Sequence, residues 1–253
     1  MPTRAFRALL VVGLTATGLT GLGAPALADS AAGCPPVRPG VIDRAPGSGK
    51  TVALTFDDGP SPWTAKILAV LEKYDVPATF FDTGAHDSAF PDDIRAEAAA
   101  GDPVGDHTWD HQYPKDVRGG WSQSYLRDQL GRTDAVQQKL TGRRTCLFRA
   151  PGGETSNALP EVARSLGLTM IGWSVDTEDW KQPDHQSVSA VHRIVAAATA
   201  SPGSHPIVLM HAGKASHEPL SVVSDYRGNT VAALPAVIAW YRSHGYRFVT
   251  MEQ

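Results

Sequence analysis

The sequence predicts an α/β domain built on a parallel β-sheet. From Lys50 onward, short apolar runs alternate with longer amphipathic stretches, which is the pattern of strands that alternate with helices. Prolines lie near two predicted helix starts, at Pro62 and Pro160, and glycines follow two predicted helix ends, at Gly101 and Gly167. Because regular strand–helix alternation places strands parallel, the chain folds either as a barrel or as an open doubly wound sheet.

The elements follow from these runs in order along the chain. Seven strands are predicted near residues 51–56, 78–82, 103–107, 146–149, 168–174, 206–211 and 246–250. Six helices are predicted near residues 63–74, 90–100, 121–140, 157–166, 186–200 and 230–243.

The first 28 residues have the pattern of a secretory signal peptide. Arg4 and Arg7 give a positive start, residues 8–22 an apolar middle, and residues 26–28 a small-residue cleavage site. The apolar run is short and interrupted by glycine, so we expect no stable membrane insertion. The mature protein is predicted to be secreted and extracellular.

The remaining chain is long enough for one domain with its own core. Residues 29–49 are rich in proline, glycine, alanine and serine, and we interpret them as an N-terminal arm or linker. Residues 50–253 form the predicted domain. The formal net charge is −3 and no basic run is present, which argues against a nucleic-acid partner.

The chain contains two cysteines, Cys34 and Cys146. In an exported protein two cysteines are typically paired, so we predict a disulfide that ties the arm to the domain. Two free thiols are the alternative at this point.

Two adjacent carboxylates, Asp57 and Asp58, follow the apolar run of residues 51–54 and predict a metal site. Neighbouring carboxylates repel each other, and a nearby cation relieves that repulsion. His107 and His111 are four residues apart, so their imidazoles share one face if the segment is helical. One aspartate and two histidines make a three-ligand zinc-type site with an open position, and the second aspartate is free to act as a base.

Three further clusters follow in a fixed order, at residues 149–153 (Arg-Ala-Pro-Gly-Gly), 176–180 (Asp-Thr-Glu-Asp-Trp) and 209–211 (Leu-Met-His). With these five motifs the chain resembles the polysaccharide deacetylase family, also called the NodB-homology domain or carbohydrate esterase family 4. The motifs span roughly residues 50–253 and lie at or just past the ends of predicted strands. The resemblance implies a distorted, incomplete (β/α) barrel with about seven parallel strands.

The resemblance also implies a metal centre and its base. Asp58, His107 and His111 are expected to bind one divalent metal ion, most often zinc in this family, with cobalt or another divalent ion as the alternative. Asp57 is expected to act as the base towards the attacking water, and the backbone N–H of Gly152 as the oxyanion donor.

Four more residues receive roles from the resemblance. His211 matches the general acid, and Asp176 matches the carboxylate that raises its pKa. Arg149 matches the residue that fixes and charge-balances the catalytic carboxylates. Trp180 matches an aromatic side chain that lines the substrate pocket.

Other titratable residues match no motif. Glu178 and Asp179 are interpreted as turn or capping residues. The remaining histidines are interpreted as surface or packing residues, with His217 singled out because it closely follows His211; they are His86, His185, His192, His205, His217 and His244.

The chain departs from the family pattern around the pocket. Ala150 stands where proline is usual, and Gly152 where an aromatic side chain is frequent, so we expect one wall of the acetyl pocket to be open or flexible. Residues 112–114 (Gln-Tyr-Pro) replace the usual His-Pro, and Ala212 replaces a frequent aspartate.

The function that these features predict is a secreted, metal-dependent hydrolase that removes acetyl groups from N-acetylglucosamine polymers, either chitin-like chains or peptidoglycan. Its partner would be an acetylated polysaccharide or oligosaccharide, and we expect a monomer. An acetylxylan esterase with the same site is the closest alternative, and a catalytically silent carbohydrate-binding protein is a second. A serine hydrolase is disfavoured because the chain has no Gly-x-Ser-x-Gly elbow.

Overall fold

The computed structural model describes residues 33–252, and the predicted signal peptide lies outside these residues. Nine strands form one sheet in the described part of the chain: β1 Val41–Ile42, β2 Thr51–Gly59, β3 Ala78–Asp82, β4 Val104–Asp106, β5 Leu147–Phe148, β6 Thr169–Ile171, β7 Val175–Asp176, β8 Ile207–His211 and β9 Arg247–Phe248. Seven helices accompany them: α1 Thr64–Tyr74, α2 Gly84–Ala89, α3 Pro91–Ala100, α4 Gln123–Thr141, α5 Leu159–Ser165, α6 Val188–Thr199 and α7 Gly228–Ser243.

All strand pairs are parallel and follow the order β1-β6-β5-β4-β3-β2-β8-β7, with β9 also paired to β2. β6 and β7 are joined by residues 172–174 alone, yet they lie on opposite arms of this order and do not pair. The sheet therefore curls into a barrel that stays open between its two edge strands, β1 and β7. This confirms the distorted, incomplete (β/α) barrel, and the open doubly wound sheet is excluded.

The side chains of the central strand β2 alternate between the hydrophobic core and the interior of the barrel. All nine of its residues are buried, and successive side chains of a strand point to opposite faces. Val52, Leu54 and Phe56 join the main core, which packs against α1, α6 and α7. Thr55 and Asp57 therefore point into the barrel, and both are hydrogen-bonded there to an arginine side chain.

The strand predictions are correct in place but differ in their ends. The strand predicted over 168–174 ends at Ile171 as β6, and the separate strand β7 follows the predicted segment. Between them, Arg149 Nη2 donates to the carbonyl of Gly172 over 2.8 Å. β2 continues to Gly59 through the segment predicted to be a turn. The extra strand β1 comes from the stretch interpreted as an arm.

That arm is tied to the barrel edge. β1 pairs with β6, and the backbone N–H of Arg38 donates to Thr169 Oγ1. Cys34 and Cys146 form the predicted disulfide, with a sequence separation of 112 residues. The predicted pairing is thus confirmed, and the alternative of two free thiols is wrong.

The described helices contain no segment that is both long and apolar enough to cross a lipid bilayer.

We expect the double variant Cys34→Ser/Cys146→Ser to lose about 2–5 kcal/mol of unfolding free energy, because the unfolded chain is no longer constrained by a long closed loop. Urea denaturation of the oxidised protein and the variant measures the difference. Reduced wild-type protein is the matched control and should behave like the variant. An unchanged urea midpoint in both would contradict a stabilising role for this disulfide.

Candidate active site

The two aspartates of the first motif lie at the carboxyl end of β2, and both are almost fully buried. Asp57 pairs in register with Phe81 of β3 and with His211 of β8. The register shifts between Asp57 and Gly59, where Asp58 adopts a left-handed backbone with φ of 63°. This bulge turns Asp58 out of the strand alternation, so both neighbouring carboxylates can face the same site.

Asp57 is held by a completely buried arginine. Arg149 Nη1 donates to Asp57 Oδ1 over 2.6 Å and to Thr55 Oγ1 over 2.9 Å. The guanidinium also lies over the ring of Phe81, 4.1 Å from its centroid. Burial lowers the pKa of Arg149, while Asp57 opposes that shift. The structure thus brings together the two residues that the sequence paired for charge balance.

Three candidate metal ligands meet beside this pair. Asp58 Oδ1 lies 3.4 Å from His111 Nε2 and 3.6 Å from His107 Nε2. All three side chains are buried, and one donor atom from each lies within 4.8 Å of the others. Burial alone would raise the pKa of Asp58, but His111 and His107 hold it below its ordinary value.

The donor set fits a divalent cation. The carbonyl of Arg149 lies 2.7 Å from His107 Nδ1 and can only accept, so Nδ1 carries the hydrogen and Nε2 presents its lone pair to Asp58. Asp58 Oδ1 is buried and has no hydrogen-bond partner among the described residues. Such an atom is costly without a counter-charge. Two imidazoles and a carboxylate with one open side are a zinc-type ligand set.

The histidine segment is a loop rather than a helix. β4 ends at Asp106, and Thr108 and His111 both have left-handed backbones, with φ of 66° and 60°. Asp106 Oδ1 accepts the N–H of Thr108, and Thr108 Oγ1 accepts that of His111. The two imidazoles converge because these side chains fold the loop. The segment is therefore not helical, and the two histidines meet Asp58 from a loop instead.

The carboxylate that contacts His211 is Asp179, and the predicted partner, Asp176, is wrong. His211 Nδ1 lies 2.7 Å from Asp179 Oδ1. Asp179 Oδ2 accepts from the backbone N–H of His211 and from Thr230 Oγ1. Burial would lower the pKa of His211, but Asp179 outweighs it and raises that pKa to about 9.

The turn after β7 explains the error. Residues 175, 177 and 179 are buried, while residues 176 and 178 are exposed. β7 ends at Asp176, and the turn that follows it places Asp179 against His211, which the pattern of the strand does not predict. Asp176 lines the cleft but is exposed, and burial of part of its carboxyl group raises its pKa.

A cleft of about 680 Å³ opens over these groups. Its floor carries Asp57, Asp58 and His211, and its sides include Gly152 and Trp180 as predicted. The whole lining is Asp57, Asp58, His107, His111, Gln112, Tyr113, Lys115, Asp116, Gly152, Trp173, Asp176, Trp180, Leu209, His211, His217, Glu218, Pro219, Val222 and Val223.

The wall beside Gly152 is closed, contrary to expectation. A Cβ placed on Gly152 would lie 2.7 Å from Cε1 of Tyr113, so the tyrosine ring already occupies that space. Gly152 also has φ of 58°, which favours glycine. The sequence shows that Tyr113 is present in the Gln-Tyr-Pro segment, but it does not show that this tyrosine lies against Gly152.

Three residues outside the motifs also adjoin the site. His217 lines the cleft, and both of its ring nitrogens are buried without a partner among the described residues. With Glu218 it forms a second possible ligand group, which shares His111 with the first. His86 Nδ1 lies 2.9 Å from the carbonyl oxygen of Asp58. The interpretation of His86 and His217 as surface or packing residues therefore missed their proximity to the site.

A second buried arginine supports the loop after β8. Arg227 Nε donates to the carbonyl of Gly213 over 2.8 Å. Burial lowers the pKa of Arg227, and Asp179 and Asp58 oppose that shift. A Cβ on Gly213 would lie 2.0 Å from the carbonyl oxygen of Asp58, so only glycine allows this loop to lie against the metal-ligand turn.

Four other carboxyl groups in the described part of the chain are also buried: Asp82, Asp87, Glu97 and Asp106. Burial raises the pKa of each of these carboxyl groups, that of Asp82 to about 7.

The pairing of His211 with Asp179 generates a prediction. Asp179→Asn should bring the pKa of His211 well below about 9, because burial then acts without the opposing carboxylate. A titration of the His211 ring by NMR measures this. Asp176→Asn is the matched control and should leave that pKa close to its wild-type value. A larger drop of the His211 pKa in Asp176→Asn than in Asp179→Asn would support Asp176 as the partner of His211.

The same pairing has a consequence for stability. A histidine whose pKa is raised on folding stabilises the folded protein fully below about pH 6.5, and that contribution is lost as pH rises through about 9. The unfolding free energy should therefore fall over this window in wild-type protein and fall less in Asp179→Asn.

Known proteins resemble this chain in sequence and fold. It matches the polysaccharide deacetylase family over residues 44–171. It is 32% identical to a chitooligosaccharide deacetylase of Sinorhizobium fredii over 213 residues, covering 84% of this chain and 95% of that protein. It is 34% identical to the peptidoglycan-N-acetylglucosamine deacetylase PgdA of Listeria monocytogenes over 81% of this chain, and it spans only 38% of that protein's length.

Among solved structures, a family 4 carbohydrate esterase from Streptomyces lividans in complex with acetate superposes with a TM-score of 0.66 and 30% identity, covering 79% of this chain and 91% of the esterase. The motifs, the open barrel and these similarities agree: the chain belongs to the polysaccharide deacetylase family.

Proposed function

We propose that this protein is a secreted, metal-dependent hydrolase that removes acetyl groups from polysaccharides containing N-acetylglucosamine, either chitin-like chains or peptidoglycan. One observation carries the proposal. A buried, unpaired carboxylate oxygen of Asp58 faces two imidazoles, directly beside Asp57, a second carboxylate that a buried arginine holds in place. A protein that only binds carbohydrate needs neither a metal ligand nor a base at this position, whereas a metal-dependent hydrolase uses both.

Asp58, His107 and His111 would hold the metal ion. When bound there, a divalent ion supplies Lewis-acid chemistry, which polarises an acetyl carbonyl and makes a water molecule more acidic. Zinc suits two imidazoles and one carboxylate, and cobalt accepts the same ligands.

Asp57 would take a proton from the attacking water. Its Oδ1 is committed to Arg149 at 2.6 Å, and its Oδ2 lies 3.6 Å from His107 Nε2, on the side of the ligand group. The arginine fixes the carboxylate in one orientation and balances its negative charge inside the barrel.

The acetyl group would lie between Gly152 and the ligand group. Gly152 lines the cleft, so its backbone N–H can serve as a donor to the oxyanion that forms when water attacks the carbonyl carbon. Trp180 lines the same cleft and offers an apolar surface to the sugar ring.

His211 would donate the proton that the departing amine nitrogen needs when the carbon–nitrogen bond breaks. Its Nδ1 is occupied by Asp179, which leaves Nε2 for the substrate. Asp179 raises the pKa of His211 to about 9, so the ring is protonated at neutral pH and ready to act as an acid. Acetate and a free amine on the sugar are the products.

Extracellular localisation is part of the same proposal. The sequence begins with the pattern of a signal peptide, and the disulfide between Cys34 and Cys146 is typical of oxidising compartments. An insoluble or bulky polymer outside the cell also fits a cleft that is open to solvent.

Acetate release tests the proposal. Purified protein lacking residues 1–28 should release acetate from chitooligosaccharide or peptidoglycan, lose that activity with a chelator, and regain it with zinc or cobalt. Acetylxylan is included because release from acetylxylan alone would favour the esterase. Absence of acetate from all three polymers, or full activity in chelator, would contradict the proposal.

Variants of Asp57 and of Asp58 should differ in the amount of metal that they bind. Asp58→Asn exchanges an anionic ligand for a weaker neutral one, so bound metal should fall. Asp57→Asn should keep most of the metal while losing about two to four orders of magnitude in turnover, the usual contribution of general acid–base catalysis. Elemental analysis and acetate release on each variant provide the two measurements. Metal lost from Asp57→Asn but kept by Asp58→Asn would reverse the roles.

A further inference from the structure

The cleft has a side wall that the family motifs do not supply. Tyr113 lies two residues beyond His111 in the loop after β4, and its half-buried ring lines the cleft. The ring lies directly against Gly152, where an added Cβ would meet Cε1 at 2.7 Å, Cδ1 at 3.5 Å and Cζ at 3.6 Å. Three ring atoms within this distance mean that the tyrosine fills the space that a side chain at position 152 would need.

The same ring adjoins the metal-ligand group. The centroids of Tyr113 and His111 are 5.4 Å apart, and the rings meet edge to face at 71°. Tyr113 is therefore in contact with both the candidate oxyanion donor and a candidate metal ligand. The ring therefore borders the space between those two groups, where an acyl carbonyl would be bound.

The ring is tethered at its far end. Tyr113 Oη donates to Glu218 Oε1 over 2.6 Å, and Glu218 belongs to the loop after β8. Lys214 Nζ donates to the backbone carbonyl of Glu218 over 2.6 Å, which holds that loop residue in turn. Lys115 Nζ lies 5.3 Å from the ring centroid. Because the hydrogen bond joins two separate loops, the ring cannot leave the wall without losing it.

We propose that Tyr113 is the residue that limits the length of the acyl group, and that Glu218 holds it in that position. This inference rests on the proposed function, since it assumes that the acyl carbonyl lies between Gly152 and the metal-ligand group. An acetyl group fits beside the ring, whereas a longer acyl chain meets it.

Acyl selectivity tests the inference. The ratio of kcat/KM for nitrophenyl butyrate to kcat/KM for nitrophenyl acetate is measured for the zinc-loaded protein and its variants. Tyr113→Ala should raise this ratio by at least about tenfold, because methylene groups in a confined apolar pocket are typically worth about ten- to two-hundred-fold each. Tyr113→Leu, a milder truncation, should change the ratio in the same direction and covers the case in which Tyr113→Ala fails to fold.

Two further variants separate the ring from its tether. Tyr113→Phe keeps the ring and loses only the bond to Glu218, so its ratio should rise less than that of Tyr113→Ala. Tyr246→Ala is the matched control, since Tyr246 is also half-buried but follows α7 and does not line the cleft. Its ratio should equal that of wild type even if its stability falls.

The outcomes are distinguishable. An unchanged ratio in folded Tyr113→Ala or Tyr113→Leu, with wild-type acetate release intact, overturns this inference and leaves the proposed function standing. Wild-type protein that cleaves neither ester and none of the acetylated polymers overturns the proposed function, and this inference with it.

Discussion

The ion pair between Arg149 and Asp57 is the interaction on which the site depends. Both side chains are buried inside the barrel, and their charged atoms are 2.6 Å apart. Breaking such a pair by removing one partner typically costs about 3–5 kcal/mol, because the remaining charge is stranded in an apolar interior. The arginine also binds the carbonyl of Gly172, and its own carbonyl fixes the tautomer of His107. One residue thus contacts the proposed base, a candidate metal ligand and the segment that joins β6 to β7.

Other buried charges near this ion pair are balanced in a similar way. Asp58 and Asp179 are anionic and buried, and burial alone would raise the pKa of each. His211 and Arg227 provide compensating positive charge close by. Asp58 Oδ1 nevertheless has no hydrogen-bond partner among the described residues. The architecture therefore leaves this buried oxygen without a donor at the position where a cation would fit.

Most of the framework could be predicted from sequence because it depends on local patterning. Strand–helix alternation, capping residues and motif order need only neighbouring residues, and all seven predicted strands are present. The strands β1 and β7 are not predicted, because β1 lies in a proline- and glycine-rich stretch and β7 directly follows the segment predicted as a longer strand over 168–174. The helix α2 was missed for a similar reason, since its six residues include glycine and carry no clear apolar stripe.

Site residues that belong to a sequence motif could be predicted. Residues that reach the site only through contacts between distant segments could not. Asp57, Asp58 and His107 converge as expected, although His107 reaches the site from a loop. The sequence alone does not distinguish Asp179 from Asp176 as the partner of His211, because the two carboxylates are three residues apart and only the structure shows which one is buried. The position of Tyr113 against Gly152 brings together two loops about forty residues apart, and no local pattern encodes that contact.

The register between β2 and β8 has a consequence for how such an enzyme can diversify. Asp57 and His211 are direct partners on adjacent parallel strands, so their backbone separation is that of any neighbouring pair in a sheet. The distance between the proposed proton acceptor and the proposed proton donor is therefore set by the hydrogen-bonded ladder of the sheet. Tyr113 and Glu218, by contrast, lie in loops outside this ladder. A change of acyl group accommodated in these loops would leave the backbone distance between Asp57 and His211 as it is.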